Sequence, residues 1–474
     1  MGMVKKVGLV FLVVTVVAVG AYGGGFALSG VGSKALGMGG AFRGLADNWS
    51  AAYWNPAGLA QLRKSEFNVM STSISPRPEF NPQVTIGGYD VGFKNGVVRY
   101  PDDKTTFSPN VSGFLRLPSR GNLTFGVALF VPYYLDSEWD LFEPIYEDII
   151  EPYPIIDHKL KLDVIDIHPS LAKSFMDDRL MLGVGMSILN GEIDYRKPIL
   201  SPTSLPRPHE NIAIDAVFHG EGWGYGANAG VIYKLSDKLQ LGISGKTGTT
   251  IKFDGNVKKD LYAINNIILE EEALEEASTS EDSMAIGFIF SEIAKESWQN
   301  EAKADLKLPV DIGIGFAYSL GEKTTLTFDL SYTFWSRLDS VIIKLEGNNS
   351  PVDTSSAQDM IIRTKWEDIY RLSFGGEHYF ADQFSIRFGF YYEPSPIPDE
   401  TLTPLIPDIG AKYGTNIGTS LKISDWELGY NFEYVNYASK DLILDTDVGL
   451  DFDNYPGSYK SYCITNNLSI TFRF

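Results

Sequence analysis

The side chains that could carry chemistry in this sequence indicate binding rather than catalysis. The chain has five histidines, His158, His168, His209, His219 and His378. Their spacing matches no metal-ligand motif. Cys463 is the only cysteine, which excludes an intrachain disulfide and a multi-cysteine metal site. No combination of serine, histidine and acid stands out as a nucleophilic triad. We therefore predict a protein that is not an enzyme and that holds no cofactor or metal ion.

Three cations on alternating segments offer a binding site of another kind. Lys246, Arg371 and Arg387 lie on the polar faces of these segments. A substrate carboxylate can accept charge-assisted hydrogen bonds from such groups. The alternative is that they pair with acids on the same faces, because enclosed charges need partners. The acids predicted to face the same way are Asp329, Glu377, Glu427 and Glu433.

A run of apolar residues in a long connection offers a surface for hydrophobic ligands. Leu141, Phe142, Ile145, Tyr146 and Ile149 recur at near-helical spacing. Burial of each methylene group contributes about 0.8 kcal/mol, so an apolar ligand gains free energy on such a surface. We predict that these residues form a substrate landing site. The alternative is that the same stripe merely packs on the rest of the protein.

The composition excludes several classes of protein. The 474 residues include 40 Lys and Arg against 60 Asp and Glu, which gives a formal net charge of −20. Phosphate binding needs clustered cations, so nucleic acid is not a predicted partner. Hydrophobic residues make up 44% of the chain and charged residues 21%. These fractions fit neither a disordered chain nor a helical membrane protein.

The N-terminus has the organisation of a secretory signal peptide. Lys5 and Lys6 precede an apolar run over residues 7–19, and small residues follow. The run is shorter than the about 20 residues that a membrane-spanning helix needs. We predict a signal peptide over residues 1–23 and a mature chain that begins near Gly24, with an uncleaved anchor as the alternative.

From Glu66 onward the hydrophobic pattern has a period of two. In residues 384–392, for example, large apolar side chains alternate with small or polar ones, and residues 426–434 repeat the pattern. Successive side chains of a strand point to opposite faces, so each segment has one apolar face. A soluble β-sandwich and a membrane-spanning β-barrel both show this alternation. The lengths of the connections between the segments must therefore distinguish these two folds.

Short turns alternate along the chain with long connections. The predicted turns are residues 118–121, 176–178, 236–238, 320–322, 381–383 and 424–425. The predicted long connections are residues 74–109, 132–160, 193–217, 255–305, 337–364, 395–408 and 438–458. Outer-membrane barrels have short turns at one end and long loops at the other. Six turns and seven loops join fourteen strands, so we predict an all-β, fourteen-stranded antiparallel transmembrane β-barrel over residues 66–474, with short helices in its outer loops.

The last segment and the first one add to this prediction. The chain stops at Phe474 on the apolar face of an alternating strand, as many bacterial outer-membrane barrels do. Outer-membrane lipid, lipopolysaccharide and the barrel assembly machinery are therefore predicted partners of a monomer. Residues 24–65 are rich in Gly and Ala and do not alternate. Small residues let backbone pack in a confined space, and a fourteen-stranded lumen needs a plug, so we predict an N-terminal hatch here.

The same stretch resembles the hatch of a known family. It reads Gly-Phe-Ala-Leu from Gly25, Gly-Met-Gly-Gly-Ala-Phe from Gly37 and Asn-Pro-Ala from Asn55. Further family-like blocks follow in order at residues 131–139, 168–172, 308–309, 329–336, 366–368 and 395–399. On these motifs the mature chain resembles the FadL/TodX family of outer-membrane transport proteins for long-chain fatty acids and aromatic hydrocarbons.

The resemblance implies a fourteen-stranded barrel in the bacterial outer membrane that takes up hydrophobic small molecules passively. It implies that Asn55, Pro56 and Ala57 shape the hatch and that Phe26 approaches the bound ligand. It also implies a kink in the third strand that opens the wall laterally, for which Gly126 and Pro132 are the candidate positions. The alternative function is a closed structural or protein-secretion-associated barrel of the same fold.

Overall fold

The computed structural model describes most of the chain after the predicted signal peptide. The described residues are 24–88, 92–101, 106–117, 123–142, 157–201, 212–263, 296–346, 359–442 and 454–474. Residues 1–23, and with them the predicted signal peptide, lie outside this set. Among the described residues, no helix is long and apolar enough to cross a bilayer.

Within the described residues, nineteen β-segments form one sheet in which every pairing is antiparallel. The segments are β1 (Glu66–Pro82), β2 (Thr106–Leu117), β3 (Leu123–Trp139), β4 (His158–Phe175), β5 (Leu180–Ser201), β6 (Ile212–Lys234), β7 (Leu239–Lys246), β8 (Thr250–Ala263), β9 (Glu296–Lys307), β10 (Val310–Leu320), β11 (Thr324–Phe334), β12 (Ser340–Glu346), β13 (Met360–Arg363), β14 (Ile369–Ala381), β15 (Phe384–Glu393), β16 (Lys412–Ile423), β17 (Trp426–Tyr437), β18 (Lys440–Leu442) and β19 (Gly457–Arg473). Pairing of β1 with β19 closes the sheet into a barrel.

Five pairs of segments continue one another, which reduces the nineteen segments to fourteen strands. The continuing pairs are β7 with β8, β9 with β10, β11 with β12, β13 with β14 and β17 with β18. Pro309 separates β9 from β10, since it cannot donate to the ladder. A 3-10 turn at Trp335–Arg337 separates β11 from β12. The predicted fourteen-stranded antiparallel barrel is confirmed.

The alternation of each strand sorts its side chains between lipid and lumen. On β15, Phe384, Ile386 and Phe388 are exposed while Ser385 and Arg387 are buried. The last strand repeats this order as predicted, because Leu468 and Phe474 are exposed whereas Thr465, Asn467 and Thr471 are buried. The outer wall therefore presents a continuous apolar surface to the membrane, and the lumen presents polar side chains.

The connections agree with the predicted turns but not with the predicted lengths of the loops. Five of the six predicted turns join adjacent strands, and residues 118–121 lie outside the described part. The strands, however, run further outward than predicted: β1 continues to Pro82, and β5 and β6 continue to Ser201 and from Ile212. Beyond the lipid the outward face becomes polar, so a pattern of lipid-facing residues ends before the strand does. In the described parts of the outer loops the helical elements are short 3-10 turns such as Asp399–Thr401.

The N-terminal segment, residues 24–65, lies inside the barrel. It contains the helices α1 (Ser33–Gly37) and α2 (Ala51–Trp54) and a 3-10 helix, Pro56–Gln61. Most of its residues are buried. Glycines on the inner faces of several strands touch it so closely that a Cβ atom would overlap its backbone; these are Gly183, Gly242, Gly375 and Gly389.

Candidate functional site

Asn55, Pro56 and Ala57 fasten the N-terminal segment to the wall. The buried side chain of Asn55 donates a hydrogen bond to the carbonyl of Arg43 at 2.9 Å and to that of Val231 on β6 at 3.2 Å. Its Oδ1 atom accepts from the Ala57 N–H at 3.2 Å. Pro56 begins the 3-10 helix, where no amide donor is needed. The triplet thus joins two parts of the segment to one strand.

Two glycines on neighbouring strands are in close contact with this triplet. Gly183 on β5 stands opposite Gly230 on β6. A Cβ atom at Gly230 would lie 1.9 Å from Oδ1 of Asn55, and one at Gly183 would lie 2.2 Å from the carbonyl carbon of Pro56. Only glycine permits so close an approach of wall and segment.

Charged groups hold the middle of the segment. Asp329 on β11 accepts from the backbone N–H of Phe42 at 3.0 Å and from that of Arg43 at 2.7 Å. The Arg43 guanidinium forms an ion pair with Asp311 on β10. Because Asp311 and Asp329 lie on adjacent strands and Arg43 lies between them, the interaction fixes the height of the segment in the lumen.

A second ionic group holds α1. Lys34 forms ion pairs of 2.8 Å with Asp47 and with Glu377 on β14, and Glu377 also binds Arg387 at 2.8 Å. Burial acts to lower the pKa of Lys34, but the two carboxylates outweigh it and raise that pKa above its ordinary value. Arg387 is buried in this group and does not line the cavity described below, so it is not placed to meet a substrate carboxylate.

We expect Lys34→Met to loosen the segment while the barrel stays intact. Removal of one partner from a buried ion pair costs about 3–5 kcal/mol, because the other charge stays buried. A nonspecific protease should then cleave within residues 24–65 faster than in the unaltered protein. Lys64→Met is the matched control, since Lys64 forms a half-exposed pair with Asp425 and such pairs contribute at most about 1 kcal/mol. Equal cleavage rates in the two variants would contradict the expectation.

The first described residues extend the wall as a short strand. Ala27 pairs with Tyr133 of β3, with hydrogen bonds from the Leu28 N–H to the Pro132 carbonyl at 3.0 Å and from the Tyr134 N–H to the Phe26 carbonyl at 3.2 Å. This edge pairing is made by the segment rather than by a neighbouring wall strand.

An aromatic cluster and a carboxylate hold this short strand. The ring of Phe26 lies 5.3 Å from each of Trp335 and Trp366 and 5.8 Å from Tyr133, centroid to centroid. Such pairs stabilise beyond the area they bury. The buried carboxylate of Asp408 accepts from the Gly25 N–H at 2.6 Å. Phe26 therefore lies at the junction of segment, wall and outer loops.

The wall is irregular where the segment meets it. Pairing of β3 with β4 shifts register between Phe130 and Tyr133, and pairing of β2 with β3 ends at Leu129. Pro132 lies at this shift, whereas Gly126 lies in a regular ladder with partners on both sides. The structure therefore places the irregularity at Pro132 and not at Gly126. Proline has no N–H to give the ladder, which is the physical reason.

A cavity of about 130 Å³ lies between the segment and this part of the wall. Its apolar lining residues include Leu28, Leu189, Leu308, Trp335 and Ile369. Its polar lining residues include Arg43, Tyr53, Asp166, His168, Lys246, Asp311 and Arg371. Pro132 and Tyr133 also line it, so the cavity borders the irregular part of β3.

Lys246 and Arg371 line the cavity, as the sequence predicts for lumen-facing cations, but they differ in their partners. Arg371 donates to the carbonyl of Gly39 at 3.1 Å and of Ser29 at 3.4 Å. The Lys246 ammonium lies 3.2 Å from the centre of the Tyr53 ring and, within the described residues, has no hydrogen bond or ion pair. Burial raises the pKa of Tyr53 to about 12, so its phenol is neutral under Lys246.

The lumen also brings together polar residues whose proximity the sequence did not predict. His168 Nδ1 lies 3.1 Å from Asp166 and 3.2 Å from the Ser187 hydroxyl, while Nε2 lies 3.2 Å from Oδ1 of Asn228. Serine and aspartate therefore meet the same ring nitrogen. A nucleophilic triad needs them on opposite nitrogens, so the group supplies polarity to the cavity and not a hydrolytic site. Asn228 in turn donates to the Ala52 carbonyl at 2.8 Å.

The predicted landing residues are only partly described. Leu141 and Phe142 are buried, and Phe142 packs on Phe93 with ring centroids 5.9 Å apart. Ile145, Tyr146 and Ile149 lie outside the described residues. The first two thus belong to an apolar core at the outer end of the barrel, and a landing role for the stripe stays a prediction.

One group of side chains has the donor atoms of a metal site. Glu192, Asp194 and His219 on β5 and β6 lie within 4.8 Å of one another. Their atoms are already engaged, since His219 binds Asp194 at 2.6 Å and Lys161 binds Glu192 at 3.0 Å. An ion-pair network accounts for this group without a metal ion.

A second, larger cavity of about 820 Å³ lies on the other side of the segment. Lys34, Asp47 and Gln61 of the segment line it, together with Asp178 and Ser424 of the short turns. The cavity therefore lies at the end of the barrel with short turns. The N-terminal segment separates it from the smaller cavity.

Comparison with known proteins gives consistent matches. The family model described as outer membrane protein transport protein (OMPP1/FadL/TodX) matches residues 14–474. The long-chain fatty acid transport protein of Escherichia coli O6:H1 is 22% identical over 416 residues, which cover 83% of each chain.

Two solved structures share the fold. A FadL homologue of Pseudomonas aeruginosa has a TM-score of 0.71 at 19% identity and covers 95% of this chain and 100% of its own. The toluene transporter TodX of Pseudomonas putida has a TM-score of 0.65 at 15% identity, with coverages of 95% and 99%.

Proposed function

Because this chain belongs to the OMPP1/FadL/TodX family of outer-membrane transport proteins, we propose that it takes up hydrophobic compounds such as long-chain fatty acids passively, through a lumen cavity gated by the N-terminal segment. The protein is an outer-membrane β-barrel, and its family transports hydrophobic compounds. The observation that supports the route most directly is the cavity between the segment and the irregular part of β3.

The N-terminal segment is the proposed hatch. It separates the two cavities, and the contacts of Asn55, Arg43 and Lys34 hold it to the wall. A ligand that enters from outside would meet the cavity before the hatch. Passage therefore requires either displacement of the segment or an exit through the wall.

The wall next to Pro132 is the proposed lateral exit. Beyond Leu129 no described residue of β2 pairs with β3, and Ala27 of the hatch takes that edge instead. Release of the short strand around Phe26 would join the cavity to the gap. An apolar ligand would then move into lipid without crossing the polar cavity below.

Lys246 is the proposed contact for a substrate carboxylate, with Arg371 beside it. Lys246 faces the cavity with no ionic partner among the described residues, whereas Arg371 is engaged by the hatch. Leu141, Phe142 and the residues after them are the proposed entry region, and lipopolysaccharide and outer-membrane lipid the proposed surroundings of a monomer.

Uptake by cells tests the proposal. Strains with and without the gene should be compared for accumulation of labelled oleate and labelled toluene at equal external concentration. We expect faster accumulation of at least one probe when the protein is present. Equal accumulation of every probe would favour the alternative function, a closed structural or secretion-associated barrel.

A further inference from the structure

The volume of the cavity limits what it can hold. An apolar cavity of about 150 Å³ in a protein core binds benzene, and drug-sized ligands occupy about 300–1,000 Å³. The cavity beside Pro132 measures about 130 Å³. With the hatch in place it therefore has room for one ring with a short substituent, whereas a chain of many methylene groups would extend beyond it and require the hatch to move.

The cavity is lined by both apolar and polar residues. Leu189, Leu308 and Ile369 offer aliphatic surface, and Trp335 offers an aromatic one. Lys246 is one of the polar lining residues. A ligand that matches both kinds of residue carries an apolar body and one polar group.

The charges around the cavity favour an anion on that ligand. Two of the acids that line it are ion-paired, Asp311 with Arg43 and Glu393 with Lys412 at 3.0 Å, and Asp166 contacts His168 at 3.1 Å. Lys246 stands directly opposite Asp311 in the register of β7 and β10, but the two form no ion pair.

Among the described cations that line the cavity, Lys246 is thus the one without an ion pair or a hydrogen bond. A ligand carboxylate at this position would accept a charge-assisted hydrogen bond from its ammonium. Tyr53 lies beneath the ammonium and offers a ring face rather than an acceptor oxygen.

We propose that the cavity selects a monoaromatic carboxylate, a ring-sized acid, over a long-chain fatty acid and over a neutral ring of the same size. The ring packs on the apolar lining residues, and the carboxylate accepts a hydrogen bond from Lys246. The inference rests on the proposed uptake function and names the substrate class of the same cavity.

Binding to the purified full-length protein in detergent tests the inference by calorimetry. Benzoate, benzamide and palmitate are the probes, because benzamide matches benzoate in size and lacks its charge. We expect benzoate to bind at least about tenfold more tightly than benzamide, as a hydrogen bond to a charged group would give. Lys246→Met should remove this preference. Lys238→Met in an exposed turn should keep it.

Each alternative result has a distinct meaning. Tighter binding of palmitate than of benzoate would overturn the ring-sized ligand and leave the uptake function standing. Equal binding of benzoate and benzamide, or no binding of benzoate, would overturn the role of the carboxylate. Failure of the uptake function itself would appear elsewhere, as equal accumulation of labelled benzoate, oleate and toluene by cells with and without the gene.

Discussion

Replacement of Gly230 by valine should open a water-filled path through the barrel. The added Cβ would occupy the place of Asn55 Oδ1, which lies 1.9 Å from it. Overpacking of this kind costs about 1–3 kcal/mol, and each hydrogen bond lost by buried Asn55 adds about 1–3 kcal/mol. A change of about 3 kcal/mol shifts the ratio of docked to displaced hatch by roughly two orders of magnitude.

Conductance of single barrels in planar bilayers measures this effect. The conductance of Gly230→Val should approach that of a variant that lacks residues 24–65, in which β1 still begins at Glu66. Gly113→Ala on β2 is the matched control, since its nearest neighbour would be Phe67 at 3.9 Å, an ordinary contact. If the conductance of Gly230→Val stays at that of the unaltered protein, the triplet does not hold the hatch closed.

Much of the fold could be predicted from the sequence because the membrane imposes a simple rule on it. A strand that crosses lipid must alternate, so Phe384, Ile386 and Phe388 identify their outward face without tertiary information. Tight turns mark one end of the barrel, and the positive φ values of Met176, Asp177 and Asp178 agree with that assignment.

The parts that could not be predicted depend on which strands become neighbours. Alternation places Asp166, His168 and Ser187 inside the lumen, but only the register of β4 against β5 brings them into contact. Likewise Gly183 and Gly230 lie opposite each other, and leave room for Asn55, only once β5 and β6 have paired. Sequence patterns report on one strand at a time, whereas a site in a barrel is shared by several strands.

For the same reason the sequence could not distinguish among the three lumen cations. Lys246, Arg371 and Arg387 have equivalent positions in the sequence pattern, and all three face inward. Glu377 pairs with Arg387, and backbone carbonyls of the N-terminal segment accept hydrogen bonds from Arg371. Lys246 and Arg371 both line the cavity, but within the described residues Lys246 has no ion pair or hydrogen bond, so it is the first of the proposed carboxylate contacts.

A disulfide between positions 27 and 133 should stop uptake and restore it on reduction. The hydrogen bonds that flank Ala27 and Tyr133 leave these two as a non-hydrogen-bonded antiparallel pair. Such pairs have Cα atoms about 4.5 Å apart, within the range of about 4.4–6.8 Å that disulfides span. Ala27→Cys with Tyr133→Cys would therefore fix the short strand of the hatch to β3 across the proposed lateral exit.

Cells that express the oxidised double variant should accumulate substrate no faster than cells that lack the gene. A reductant should return the rate of accumulation toward that of the single variants. Cys463→Ser provides a background without other thiols, and the native thiol is buried. Each single cysteine variant is the control for the loss of the Tyr133 ring or the Ala27 methyl group.

Undiminished uptake by fully cross-linked protein would mean that the ligand leaves without release of this strand, and the exit beside Pro132 would have to be abandoned. Because the cross-link leaves the lumen charges and the Asn55 contacts in place, its effect separates lateral release from displacement of the whole hatch.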